Sequence, residues 1–109
     1  MSELDLLAID AKDDIDIMNK LITKYENFIL RCASSAARGY ISKSDDEWSI
    51  ALSAFAEAIR NYSASKGSFL NFAELVIRRR IIDFMRSKSR YASEVSVNPS
   101  LFNTDVQDE

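Results

Sequence analysis

Histidine is absent from this 109-residue chain, and cysteine, proline and glycine number only one, one and two. Without His, and with Cys32 alone, the chain lacks the Cys and His ligands of the usual zinc sites and cannot form a Ser-His-Asp triad or a Cys-His pair, which leaves only carboxylates to hold an ion such as Mg²⁺. Cys32 has no partner for an internal disulfide, and its place in an apolar helical pattern makes it a core residue. The single proline is Pro99, so proline bars helix nowhere between Met1 and Val97. No run approaches the ~18 apolar residues of a membrane span, and an N-terminus carrying Glu3 and Asp5 lacks a basic-then-apolar leader pattern. The expectation is a cytoplasmic protein with no membrane association and no metal or cofactor.

What is present favours helix. Hydrophobic residues make up 47% of the chain, enough for a folded core. Ala, Leu, Ile, Lys, Arg and Glu dominate, and β-branched runs of period two are missing, which predicts an all-α fold. The pattern predicts a compact bundle of three main helices plus a candidate short helix at the N-terminus. Net charge is −3, but residues 1–59 carry −5, residues 60–90 carry +6 and residues 91–109 carry −4. A basic block is therefore concealed inside an acidic chain.

Residues 3–11 can form the short helix, with Leu4, Leu7 and Ala8 on one side, or remain a fraying end. Asp13 or Asp14 can cap the next helix. From Ile15 to Arg38, apolar residues at Ile15, Met18, Ile22, Tyr25, Ile29, Cys32 and Ala36 alternate steps of three and four, the period of one helix. That stripe reads as internal core rather than a coiled-coil seam, because the other helices need a surface to pack on. Gly39 is the expected left-handed stop. Ser44 and Glu47 have capping-box spacing for a second helix, with Trp48, Leu52, Phe55 and Ile59 as its buried stripe. Ala51, Ala54, Ala56 and Ala58 permit close approach of a neighbour, and a loop follows Tyr62 and ends at Gly67.

The stretch Ser68–Arg90 holds the basic block on a helix with two apolar faces. Leu70, Ala73, Ile77, Ile81 and Phe84 share one sector at 100° per residue, enough to dock it. The opposite sector holds Phe72, Leu75, Val76, Arg79, Asp83 and Arg86, where an ordinary surface helix would be polar throughout. Phe72, Leu75 and Val76 are open to two readings: packing against the 14–39 helix, or contact with nucleic acid. An aromatic can stack on an unpaired base, and arginines can hold phosphates. Arg78, Arg79 and Arg80 fan over roughly 200° of helix, so they cannot all follow one strand; two can hold phosphates while a third pairs with Glu74 or Asp83. Lys66, Arg86, Lys88 and Arg90 extend the basic track.

The segment from Asp45 to Ser87 resembles region 2 of bacterial sigma-70 family RNA polymerase sigma factors. The resemblance lies in Asp46, Ala51-Leu52, Phe55, Ala58, Tyr62, Gly67, Phe69, Phe72-Ala73, Ile77-Arg78, Ile81 and Asp83, and covers about residues 14–92. The opening DDEWSIAL looks most like the sigma-I subgroup, often related to stress or the cell surface. The resemblance implies a non-enzymatic initiation factor that binds polymerase core and helps melt the promoter minus-ten element. It implies a grip on the β′ clamp by Asp45, Asp46, Ser49, Leu52 and Phe55. Phe72 falls where the family stacks an aromatic on a base flipped from the non-template strand, and Arg79 and Ile82 where it reads that element's upstream edge. Lys66, Arg78, Arg80 and Arg86 become backbone contacts. Leu75 and Val76 replace the tryptophan pair that wedges the duplex open in housekeeping members, which implies stricter promoter demands. Ser49-Ile50-Ala51 replaces a Gln-Glu-Gly segment, which implies an altered polymerase contact. Members of this type are often held by an anti-sigma protein, although no residue here identifies one.

The family also uses a helix-turn-helix for the minus-35 element, and nothing after Tyr91 resembles one. The expectation is a domain over residues 1–92 and an acidic tail or linker over 93–109 leading to a DNA-binding domain absent from this chain. Two other readings compete. A helical adaptor would use Leu75 and Val76 as a groove for a partner helix. A Mg²⁺ hydrolase would need Asp45, Asp46 and Glu47 on one ion, but consecutive helical residues point 100° apart and cannot converge.

Overall fold

The computed structural model describes residues 2–96, and their side chains as far as Lys88. Five α-helices account for most of these residues: α1 (Glu3–Ala11), α2 (Ile15–Lys24), α3 (Glu26–Ala37), α4 (Asp46–Asn61) and α5 (Phe69–Ser96). A 3₁₀ turn, Ala64–Lys66, lies between α4 and α5, and the described residues contain no strand. The all-α expectation holds, but the helix count does not. Helix α5 packs mainly on α4 and α3.

The N-terminal segment is a capped helix. Ser2 Oγ accepts the Asp5 N–H at 3.2 Å and Asp5 returns the bond to the Ser2 N–H at 3.1 Å, a reciprocal capping box. Ala8 and Ala11 are fully buried, while Leu4 and Leu7 are half-buried. Asp14 caps α2 by accepting the N–H groups of Asp16 and Ile17.

The helix expected from Ile15 to Arg38 is two helices. Tyr25 leaves helical geometry at φ −106°, ψ 21° and is at once the last cap of α2 and the first of α3. The Tyr25 N–H still reaches Leu21 O, and Ile29 N–H still reaches Tyr25 O. The apolar period runs through the bend from Met18 to Cys32, while Ile15, expected as its first core residue, is 65% exposed; no Gly or Pro marks the bend in the sequence.

Two cap assignments also change. Arg38, not Gly39, takes the left-handed conformation, at φ 61°. Gly39 N–H bonds to Ser34 O and Arg38 N–H to Ser35 O, the paired pattern of a Schellman ending. Helix α4 starts from Asp45 rather than Ser44, and no side chain caps it. Asp45 instead turns back to accept the Ser42 N–H at 2.9 Å, while Ser44 Oγ pairs with Ser42 Oγ.

The core runs down the facing sides of α3, α4 and α5. Ile29, Ala33, Ala51, Phe55, Ala58, Ile59, Tyr62, Phe69, Ala73, Ile77 and Ile81 are fully buried. Each large aliphatic among them contributes about 1.5–3 kcal/mol by leaving water. Ala51, Ala54 and Ala58 are buried on α4, where their size permits close approach of a neighbouring helix. Helix α5 continues past Arg90 to Ser96, since nothing before Pro99 forbids helical backbone. The tail expected over residues 93–109 lies outside the described residues beyond Ser96.

Candidate nucleic-acid interface

The outward face of α5 begins with Phe72. Its ring is half-buried and rests on Tyr62, with centroids 6.0 Å apart and planes tilted by 43°. Lys66 Nζ stands 5.7 Å from the same ring centroid. Tyr62 is itself fully buried, edge-on to Phe69 at 5.4 Å, and its hydroxyl donates to Gly67 O. Gly67 has φ 86°, a conformation that a side chain would strain, so the loop needs glycine there. The loop, Tyr62 and the first turn of α5 thus form one unit that presents Phe72.

The remaining residues of this face follow at helical intervals. Leu75 is 46% exposed, Val76 and Ile82 are half-buried, and Arg79 and Arg86 are exposed. Val76 packs on the edge of the core. The face expected opposite the docking stripe is therefore present, and Leu75 is not absorbed into the bundle.

The three arginines diverge, as 100° steps require. Arg78 turns to α3, where Nη1 donates to Ser35 Oγ at 3.1 Å. Arg80 turns to α4 and makes a two-pronged ion pair with Glu57, with Nε to Oε1 at 2.9 Å and Nη2 to Oε2 at 2.5 Å. That bond holds the Glu57 carboxyl below its ordinary pKa and raises the Arg80 guanidinium. Arg79 lies between them and, among the described residues, has no ion-pair partner. It lines a shallow cleft with Glu57, Val76, Arg80 and Asp83.

The expected polymerase-binding residues divide. Asp45, Asp46 and Ser49 are exposed, and Leu52 is half-buried. Phe55 is corrected: it is fully buried and edge-on to Phe69 at 5.5 Å, so no partner can touch it. Its place in the Trp48–Leu52–Phe55–Ile59 stripe already pointed it inward. The exposed row through Asp46 and Ser49 continues to Ser53, which the 3–4 spacing could have identified. Tyr62 as the support of Phe72, Glu57 as the partner of Arg80 and Ser35 as that of Arg78 were not foreseen. Glu57 and Arg80 are 23 residues apart and carry no local signal.

Cys32 is buried, and burial followed by the charge of Glu74 pushes its thiol up to about 11, so it is protonated and unreactive at neutral pH. Among the described residues, no group of three or more His, Cys, Asp or Glu is arranged to hold a metal. No described helix is long and apolar enough to cross a membrane.

Residues 21–91 match the family described as Sigma-70 region 2. The chain belongs to that family. The sigma-70 region 2 match spans all of α3 and α4, the loop after α4 and most of α5. RNA polymerase sigma factor SigI of Bacillus subtilis (strain 168) is 46% identical over 88 residues, covering 80% of this chain and 35% of that protein. RNA polymerase sigma factor SigI7 of Acetivibrio thermocellus is 41% identical over 91 residues, covering 83% of this chain and 39% of the relative. SigI of Bacillus anthracis is 51% identical over 71 residues, 64% of this chain and 30% of the relative. These relatives place the sigma-70 region 2 domain in the SigI subgroup. It spans about a third of the length of the curated relatives it matches.

Proposed function

We propose that this domain serves transcription initiation as a binding module, not an enzyme. Its exposed α4 row of Asp46, Ser49 and Ser53, with Asp45 and the edge of Leu52, grips the β′ clamp of RNA polymerase core. The outward face of α5 captures the non-template strand of the promoter minus-ten element. Phe72 stacks on the flipped base; unstacking costs only a few kcal/mol and the aromatic contact offsets it. Arg79 and Ile82 meet the upstream duplex edge, with Lys66, Arg78 and Arg86 on the backbone. Arg80 joins them only when Glu57 releases it.

The observation that carries this reading is the pairing, on one face of α5, of a supported and partly exposed aromatic with an arginine that has no ion-pair partner among the described residues. Leu75 and Val76 offer apolar contact but no aromatic wedge, which fits a factor that demands a good promoter. The domain is proposed to cover residues 1–92, with the remainder leading to a second DNA-binding domain, and an anti-sigma protein is a further candidate partner.

The test is retention of core polymerase on the immobilised chain, compared with Asp46→Lys. Charge reversal should abolish retention while leaving helical content unchanged. Equal retention by the two would remove the α4 row from the interface. The 46% exposure of Leu75 favours one alternative, a helical adaptor that takes a partner helix on this face. Binding to a partner that is indifferent to salt and to competing oligonucleotide would decide for it.

A further inference from the structure

The N-terminal helix precedes the residues that match the family, yet it reaches the start of the DNA-facing helix. Asp5 is one of its buried residues, at 7% exposure. Its Oδ1 accepts the Phe69 N–H at 2.8 Å, across 64 residues of sequence. Phe69 is the first residue of α5, so this N–H has no partner within the helix. The other Asp5 oxygen accepts the Ser2 N–H, which holds the carboxylate from behind. Ser68 Oγ takes the Asn71 N–H, so Asp5 and Ser68 share the capping of α5. A negative charge at this end also suits the helix dipole.

We propose that Asp5 is a positioning residue for base capture. Through the Phe69 N–H it fixes the first turn of α5, and Phe72 lies one turn further on. The Phe69 and Phe72 rings both lean on Tyr62, at 5.4 and 6.0 Å. A first turn released from Asp5 frays, and Phe72 then has to be reordered on each binding event, at a cost in affinity. Burial, and after it the charge of Asp5, raises the Tyr62 phenol above its ordinary pKa. The bond from Phe69 holds the Asp5 carboxyl below its ordinary value, so it is ionised at neutral pH.

This proposal rests on the reading of α5 as the base-capturing face, and a double-mutant cycle separates the two. Binding of a fluorescent single-stranded minus-ten oligonucleotide is measured for wild type, Asp5→Ala, Phe72→Leu and the double variant, well below each melting temperature. Asp5→Ala should weaken binding on the order of fivefold when Phe72 is intact, the effect of a typical lost cap. It should have no effect when combined with Phe72→Leu, and a β′ clamp fragment should bind all four equally. Asp5→Asn, which keeps an acceptor but loses the charge, should restore most of the affinity. If Asp5→Ala does not fold, the cycle is run with Asp5→Asn, expecting about a twofold loss confined to proteins that retain Phe72. Equal losses with and without Phe72→Leu, or none in either case, would overturn the positioning role alone. A Phe72→Leu variant that binds like wild type would overturn the base-capture reading and the role of Asp5 with it.

Discussion

Replacing Phe72 by leucine separates its packing in the bundle from its proposed stacking on a base. Truncating a fully buried Phe to Ala costs about 3–5 kcal/mol, and Phe72 is only half-buried, so Phe72→Ala should cost roughly half of that in stability. An alanine variant with weak DNA binding could therefore be blamed on a loosened fold. Leucine keeps most of the apolar volume against Tyr62, and such swaps cost below about 1.5 kcal/mol. What leucine cannot supply is a π-face. Base–aromatic stacking is worth about 1–3 kcal/mol. Lys66 already occupies the ring in the free protein, and its displacement gives back about 0.5–1 kcal/mol. Taking the middle of each range, the net loss in Phe72→Leu should be about 1.2 kcal/mol, or roughly eightfold in dissociation constant. The assay is fluorescence anisotropy of the single-stranded minus-ten oligonucleotide at fixed salt, paired with thermal melts. Affinity within twofold of wild type would refute the stacking role of Phe72.

Three further outcomes follow from contacts in the fold. For a minus-ten fork that carries the upstream duplex, Arg79→Ala should lower the slope of log affinity against log salt by about 0.9, the value of one duplex phosphate; Arg80→Ala should lower it less, because Glu57 already neutralises that side chain, and Glu57→Gln should raise it. Equal slopes for the two arginine variants would contradict the division between a free and a paired side chain. Arg38→Gly should raise stability by up to about 1 kcal/mol, since a non-glycine residue is strained in the left-handed region. Gly39→Ala should be nearly neutral in the same thermal melts, because an added Cβ there meets no atom within 4 Å; a large loss at Gly39 would restore it as the helix stop. Asp5 and Glu57 have carboxyls depressed below their ordinary values of 3.8 and 4.5, so their stabilisation is complete above those values and is lost as pH falls through the folded pKa. The difference in melting temperature between wild type and Asp5→Asn should therefore narrow below pH 3.8, and a constant difference down to about pH 2.5 would show that the carboxylate charge contributes nothing.

The parts of this molecule that were legible in the sequence are those set by one helix's own period. The docking stripe of α5, the outward face through Phe72 and Arg79, and the buried row of α4 all follow from 100° per residue. The bend at Tyr25 is hidden for the same reason: two helices joined with almost no loss of phase keep the 3–4 spacing of one. The Schellman ending falls one residue earlier than the glycine suggests, because glycine is the usual occupant of the left-handed position and here Arg38 takes it despite the strain. Contacts between distant segments have no local signature. An acidic residue in a first turn reads as a local helix cap, which Asp5 is for Ser2, but nothing nearby tells that its second oxygen is bound by an N–H 64 residues away. The same holds for Arg80, whose charge counts toward a basic track in the sequence but is held by Glu57 in the fold. Charge read along a sequence thus sets an upper limit on what is free to meet phosphate. Of the three consecutive arginines, only Arg79 projects from α5 without an ion-pair or hydrogen-bond partner on a neighbouring helix among the described residues. The proposed interface is therefore narrower than the basic block, with Phe72 and Arg79 as its candidate centre.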